Sequence, residues 1–295
     1  MRNSSSVLII YNPNAKKGKI DEVLPYIKER LVVRYPVVDM VPTPVTGAEE
    51  LAKKYAGKYD ILVACGGDGT LHQVINGVAK TEFRPLIGVL PFGTCNDVAR
   101  TLHIGKKLDN AIDCILRQNV TNYDVMFDGE EYSAYALATG YMTDTSYVAS
   151  SRMKKIFGRL AYVFIALKEL FILKGLPITC TCDGEKFEGK FIYFMLMNGE
   201  STGGFRLNKG EELDNGKVKV VMIKKSRHIG CLMALVKMFI FGIKSIMNSK
   251  YVIVRDASKI KIVNHSNEPF TMDGEKTMFL RKNVSILSDI KLIKK

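Results

Sequence analysis

Ile61-Leu62-Val63-Ala64-Cys65 runs directly into Gly66-Gly67-Asp68-Gly69-Thr70, and Leu86-Ile87-Gly88-Val89-Leu90 runs into Pro91-Phe92-Gly93-Thr94-Cys95-Asn96-Asp97. Each apolar run has the length of a buried parallel strand, and a helix-like segment follows each loop. In an open α/β sheet, ligands bind in the crevice beyond the carboxyl ends of the strands, so both loops should open on one crevice. Glycine lets backbone N–H groups approach phosphate oxygens, and helix N-termini favour negative charge. Gly66, Gly67, Gly69 and Thr70, with Gly93 and Thr94, are therefore candidates for a phosphate cradle. The Thr70 and Thr94 hydroxyls can bond a phosphate oxygen or cap the helices that follow. Asp68 and Asp97 set carboxylates beside the cradle, which suits a divalent metal between them. A plain tight turn accounts for either loop alone; the pair, in this order, is specific. Asn12, ending the first strand, and Thr43, beyond the second, can reach the same crevice. There is no GxxxxGK[ST] P-loop, so the fold class is not that of the P-loop kinases.

Outward from these loops, residues 1–122 alternate strand and helix. Strands are expected at Val7–Tyr11 and Val37–Val41 besides the two above, and helices at Lys19–Arg34, Leu71–Ala79, Asp97–Leu102 and Leu108–Arg117. Thr46-Gly47-Ala48-Glu49 has the form of a capping box opening a helix to Ala56. This βαβα order predicts a parallel sheet with helices on both faces. From 123 to 284 the pattern changes to short strands rich in β-branched and aromatic residues, separated by Asp-Gly and Asn-Gly turns. Strands are expected at Tyr123–Phe127, Tyr132–Thr139, Ile178–Cys182, Lys190–Met197, Val218–Ile223, Lys259–Val263 and Thr277–Leu280. They predict a mainly antiparallel second domain, a β-sandwich. Two helices, near Met153–Leu173 and Ile229–Met247, interrupt it, and the tail 285–295 can return to the first domain.

Taken together the motifs resemble the diacylglycerol kinase catalytic-domain family, in particular its soluble bacterial lipid kinases. The resemblance runs over nearly the whole chain, through Tyr11-Asn12-Pro13-Asn14-Ala15, the two loops, Ala138-Thr139-Gly140, Asn198-Gly199 with Gly203-Gly204, Leu213-Asp214-Asn215-Gly216, and Asp273-Gly274-Glu275. It implies an α/β N-terminal domain of NAD-kinase/diacylglycerol-kinase type and phosphoryl transfer from ATP to a lipid hydroxyl, with diacylglycerol the leading acceptor. It further implies nucleotide binding by Asn12, Thr43, Gly67, Asp68, Gly69, Thr70, Leu71, His72, Gln73 and Thr94, and Mg2+ held by Asp68 and Asp97. Asp-Gly-Glu occurs at 128–130, 183–185 and 273–275, and Asp-Gly between strands is a hairpin signal at all three. Spacing does not choose among them. The resemblance does, because the family carries this tripeptide near its C-terminus with the Glu as general base; that role falls to Glu275, with Asp273 in the same network. The family's bacterial members hold a structural Mg2+ at a turn reading Asp-Gly-Leu, which here reads Asn215-Gly216-Lys217. The implied ligands are the backbone oxygens of Glu212 and Lys217 and the side chain of Asn215. Asn for Asp removes a charge from a hard-cation site, and an Asn-Gly hairpin needs no metal. A NAD kinase shares the Gly-Gly-Asp-Gly-Thr loop, but the Gly93–Asp97 element favours the lipid branch; a non-catalytic nucleotide- or membrane-binding adaptor is the other alternative.

The chain of 295 residues is 47% hydrophobic and 25% charged, with net charge +13 and pI about 9.3. A basic globular protein of this kind expects an anionic partner. No recognition helix, zinc-finger spacing or aromatic RNA motif is present, so no nucleic acid is expected and an anionic membrane surface ranks first. Six cysteines without a CxxC pair or a dense framework read as thiols in a reducing cytoplasm. No segment reaches the ~20 uninterrupted apolar residues of a membrane span, so the expectation is a cytoplasmic enzyme peripheral to the membrane; a homodimer stays open. In the helix near 229–247, Leu232, Val236, Phe239, Ile243 and Ile246-Met247 recur at helical spacing, with Lys237, Lys244 and Lys250 elsewhere. That pattern fits a core-facing helix or one docking on anionic headgroups.

Overall fold

The computed structural model describes residues 6–44, 47–140, 175–226 and 228–295. The expected helix at 153–173 and Thr46 of the capping box lie outside them. Strands β1 (Ser6–Tyr11), β2 (Val37–Pro42), β3 (Ile61–Gly66) and β4 (Leu86–Pro91) are parallel, in the order β2-β1-β3-β4. β3 is buried along its full length, as a continuous apolar run between two helix layers should be. Helices α1 (Ala15–Gly18), α2 (Leu24–Val32), α3 (Ala48–Tyr55), α4 (Asp68–Ala79), α5 (Asp97–Thr101) and α6 (Leu108–Arg117) connect these strands or follow β4. The helix expected at 19–34 is thus shortened to 24–32, and α2 has Pro25 in its first turn, where proline's missing N–H costs nothing. The chain leaves β1 towards β2 on one side and returns to β3 on the other. The switch point therefore lies between the carboxyl ends of β1 and β3.

The C-terminal half is mostly antiparallel. β5 (Asn119–Phe127) crosses residue 122 and is followed by β6 (Tyr132–Ser133) and β7 (Ala136–Gly140), so the run expected at 132–139 is interrupted at 134–135. β8 (Leu176–Cys182) and β9 (Glu185–Met197) form a hairpin, and β9 then passes between β7 and β12 (Val218–Lys224). β10 (Ser201–Thr202) and β11 (Phe205–Arg206) make a small separate ribbon. β13 (Val252–Ala257), β14 (Ile260–Asn264), β15 (Phe270–Met272) and β16 (Glu275–Thr277) follow. The last strand, β17 (Arg281–Lys294), pairs with β14 at its start, with β5 along Ser285–Lys294, and with β4 at Leu292. One long strand therefore joins the antiparallel half to the parallel sheet.

Side-chain alternation sorts β12 between two cores: Val218, Val220 and Met222 meet Ile178, Phe194 and Ile262, while Val221 and Ile223 face helix α7 (Gly230–Phe241). The helix expected over 229–247 breaks at Gly242 (φ +86), and a short 3-10 turn covers Ile243–Ile246. The break is enforced by close approach, because a Cβ on Gly242 would stand 2.7 Å from the Leu207 carbonyl oxygen.

Gly77 sits where α4 crosses α3. A Cβ there would fall 2.3 Å from the Glu49 carbonyl oxygen and 2.7 Å from Ala52 Cβ. Gly77→Ala should lower stability by about 1–3 kcal/mol through overpacking, despite a helix-propensity gain of about 1 kcal/mol. Urea unfolding checks this; a midpoint at or above the wild-type value would show that the helices separate without cost.

Candidate active site

The four parallel strands end together. Asn12 N–H donates to Cys65 O (3.0 Å), Thr43 N–H to Tyr11 O (2.8 Å) and Phe92 N–H to Gly66 O (2.7 Å). Asn12, Thr43, Gly66–Gly67 and Gly93 are thereby aligned along one edge, at the switch point. The two glycine loops touch through their backbones: a Cβ on Gly93 would lie 2.6 Å from Gly67 Cα. Any side chain at position 93 would drive the loops apart.

Asp68 holds this contact. It is the first residue of α4, yet its carboxylate accepts Asn96 N–H (2.7 Å) and Asp97 N–H (2.6 Å) at the start of α5. Neither helix has a side-chain cap of its own, so Asp68 caps its neighbour across the crevice. Asn96 is left-handed (φ 52), and its amide closes on Gly93 by accepting from N–H (2.9 Å) and donating to O (2.8 Å). Asp97 is wholly buried; its Oδ1 accepts the Ser201 hydroxyl (2.6 Å) and Gly204 N–H (2.9 Å), while Oδ2 has no hydrogen-bond partner. Burial, and then the charge of Asp97, push the Asp68 carboxyl up to about 6. Burial also raises Asp97, against the donors of the 201–204 segment.

An unsatisfied buried carboxylate oxygen beside a second raised carboxyl is the situation a divalent cation relieves. No cluster of three or more metal-ligating side chains exists among the described residues. Mg2+ does not require one, since it commonly takes one or two carboxylates with substrate phosphates and water. The residues present therefore fit Mg2+ at Asp68 and Asp97.

The third Asp-Gly-Glu is set apart from the others by what surrounds it. Asp273 is left-handed (φ 46), and its side chain has no solvent exposure. It accepts the N–H groups of Ala134 (2.6 Å), Tyr135 (3.0 Å) and Ala136 (3.0 Å), the Ser133 hydroxyl (2.8 Å) and His72 Nδ1 (2.8 Å). The hairpin so anchored puts Glu275 Oε1 3.8 Å from the position of a Cβ on Gly69, directly opposite the glycine loop. The other two tripeptides are turns elsewhere. Asp128 accepts Glu130 and Glu131 N–H and pairs with Lys282, which also holds Glu130. Asp183 accepts Ser258 and Lys259 N–H, and Glu185 pairs with Arg255.

Within Leu71–Gln73 each side chain is engaged within the fold. Leu71 enters the N-terminal core, His72 meets Asp273, and Gln73 accepts Ala48 N–H (3.1 Å). Thr70 is buried with its hydroxyl against Gly66, and Thr94 is exposed. Glu212, Asn215 and Lys217 do not join the Asp68–Asp97 pair. Their turn docks on Asp124, whose N–H donates to Leu213 O (2.7 Å) and whose Oδ2 accepts Gly216 N–H (2.8 Å). The Asn215 side-chain oxygen already accepts Lys217 N–H (2.9 Å), whereas Asp124 Oδ1 is buried without a partner. Asp124, Ser201 and His72 in its pairing role escaped sequence reasoning. A buried polar residue inside the β5 run was the available signal for Asp124; nothing local marked the others.

The family model described as the diacylglycerol kinase catalytic domain matches residues 6–127. A diacylglycerol kinase of Staphylococcus saprophyticus is 33% identical over 232 residues, covering 77% of this chain and 76% of that protein. One from Staphylococcus aureus is 31% identical over 274 residues, covering 90% and 85%. The chain belongs to the diacylglycerol kinase family. It is accordingly a phosphotransferase with an alcohol acceptor, a lipid kinase. A diacylglycerol kinase crystal structure from Bacillus anthracis superposes with TM-score 0.81 at 22% identity, covering 100% of this chain and 98% of that one, and so shares the fold.

The His72–Asp273 pair has a pH signature. Burial pulls the His72 imidazolium down, but the Asp273 hydrogen bond and charge outweigh it and leave the pKa raised. Burial pushes Asp273 up, and its donors, His72 first, bring it below the usual carboxylate range. The His72 contribution is therefore complete below its unfolded pKa of about 6.5 and is lost as pH rises through the folded value; that of Asp273 is lost only on acidification below about 3.9. In urea titrations the stability gap between wild type and His72→Ala should be largest near pH 6, by about 1.5–3 kcal/mol, and narrow towards pH 9. A gap independent of pH would mean that the pair is not ionic.

Proposed function

We propose that the protein transfers the γ-phosphoryl group of ATP to the hydroxyl of a membrane lipid, diacylglycerol first among them, with Mg2+ at Asp68 and Asp97 and Glu275 as general base. The observation that carries this reading is the Glu275 carboxylate facing the Gly67-Asp68-Gly69 loop. Phosphoryl transfer needs positioning, charge neutralisation and a group to take the acceptor proton. Backbone N–H groups of the touching glycine loops, with Asn12, Thr43 and Thr94 along the same edge, cradle the phosphates. Mg2+, when bound, neutralises charge on the transferring phosphoryl oxygens. Asp68 keeps the two loops in register. Asp97, held by Ser201 and Gly204, presents its free Oδ2 to the cation. Glu275 is exposed, so the acceptor hydroxyl can approach it from the antiparallel half and lose its proton there. Among the described residues no helix is long and apolar enough to cross a membrane, which suits an enzyme that meets its lipid from the surface.

Glu275→Gln should lower turnover by about 10²–10⁴-fold with nucleotide affinity little changed. Glu130→Gln and Glu185→Gln should stay near wild type. Labelled ATP offered with a lipid panel, and with NAD as control, measures this; loss of activity in either of the latter variants would move the base elsewhere, and labelling of NAD alone would replace the lipid reading.

Metal holding can be read without turnover. In thermal scans with a non-hydrolysable ATP analogue, adding Mg2+ should raise Tm of the wild type, by about 2.7 kcal/mol of stability at one hundred times Kd. Asp97→Asn should lose most of that shift. An equal shift in both proteins would remove Asp97 from the metal site.

A further inference from the structure

Helix α7 is apolar but for Lys237. Cys231, Leu232, Ala234, Leu235 and Met238 are buried against β9 and β12. The opposite side, which an ordinary surface helix makes polar, instead presents Met233 (63% exposed) and Phe241 (70% exposed), with Ile229 before the helix and Met247 beyond the 3-10 turn also exposed. Between them lies a groove of about 690 Å3 lined by Met233, Val236, Lys237, Ile240 and Tyr251. Lys237 is the single charged residue of α7, and Lys224, Lys225, Lys244 and Lys250 flank it in the sequence. No Asp or Glu occurs between Asp214 and Asp256. Contiguous exposed apolar surface marks an interaction site. An apolar centre within an exclusively basic segment complements a surface that is negative outside and hydrocarbon beneath.

We propose that this face of α7 and the following turn is the surface by which the protein docks on an anionic lipid bilayer, Met233 and Phe241 entering the acyl boundary and the lysines meeting headgroups. The proposal rests on the lipid-kinase reading and adds to it where the membrane sits. The position is apt. Ile243 N–H donates to Leu207 O (2.7 Å), and the Phe239 ring packs edge-on against Phe205 at 5.2 Å. Phe205 follows Gly204, whose N–H binds Asp97. The helix that carries the docking face is thus joined to the phosphoryl-transfer site by one short ribbon.

Sedimentation with vesicles of phosphatidylglycerol and phosphatidylcholine, without nucleotide, tests the proposal independently of catalysis. The wild type should bind phosphatidylglycerol-containing vesicles, more weakly as salt is raised. The double variant Met233→Asp/Phe241→Asp should bind at least tenfold more weakly while its turnover of a water-soluble short-chain diacylglycerol is unchanged. Met233→Ser/Phe241→Ser, with a thermal scan, guards against misfolding and should lose affinity in the same direction. Unaltered vesicle affinity in both variants would overturn the proposal, as would failure of the wild type to sediment with any vesicle. A wild-type dimer that these substitutions dissociate without changing vesicle affinity would overturn it in favour of a second copy on this face. Salt-dependent binding through α7 with no lipid phosphorylated would instead uphold the surface and refute the kinase reading.

Discussion

The Asp273 carboxylate, buried without exposure and ringed by three backbone N–H groups, a serine hydroxyl and the His72 imidazole, is the joint on which the site is built. Removing a carboxylate from water costs several kcal/mol, which only a full set of donors offsets. Here the donors come from α4 and from the segment between β6 and β7, while the acceptor comes from the β15–β16 hairpin. Satisfying one charge therefore fixes three pieces of chain. Glu275, two residues beyond Asp273, inherits that rigidity although it is itself exposed. A carboxylate at that position is accessible and well positioned at once.

Asp68 and Asp97 work in the opposite sense. Asp273 is stabilised as an anion, whereas burial, and for Asp68 also the charge of Asp97, makes the pair beside the glycine loops reluctant to ionise. Two buried carboxyls with raised pKa values and an unfilled acceptor are poor for stability and suitable for holding a cation. The contact of Gly67 with Gly93 makes this arrangement accessible, because only backbones without side chains can bring both helix starts to the same point. The 201–204 ribbon completes it from the antiparallel half, so Asp97, like Glu275, is held by elements distant from it in the chain.

β17 explains how such distant segments stay in register. It pairs with β14, β5 and β4 along its length, linking the sheet that carries Glu275 to the sheet that carries the loops. A single strand transmits position with little freedom, since all of its residues except Ser288 and Asp289, at a register shift, are tied to a ladder. The cross-sheet ribbon from β10–β11 to α7 plays a similar part on the outer face, where aromatic packing of Phe205 on Phe239 joins an exposed apolar surface to the Asp97 donors.

Whatever depends on near neighbours in the chain was decided by the sequence alone. Apolar runs of strand length followed by glycine loops and helices dictate a parallel sheet with a crevice at its carboxyl edge, and the motifs around Asp68 and Asp97 point to phosphate and metal. The change of pattern after Asn122 likewise announces antiparallel pairing, though β13, β15 and most of β17 lacked a local signal strong enough to separate them from turns. Tertiary structure alone decided what depends on distant partners. Three identical Asp-Gly-Glu turns cannot be ranked locally; they are told apart by a contact between His72 and Asp273 across 201 positions and by the resulting approach of Glu275 to Gly69. The break of the 229–247 helix at Gly242 follows from the Leu207 carbonyl, and the roles of Ser201 and Asp124 follow from distant partners, the Asp97 carboxylate that accepts from Ser201 and the Gly216 N–H that donates to Asp124. Periodicity and turn chemistry act over a few residues, whereas desolvating a carboxylate selects its donors from wherever the fold can bring them.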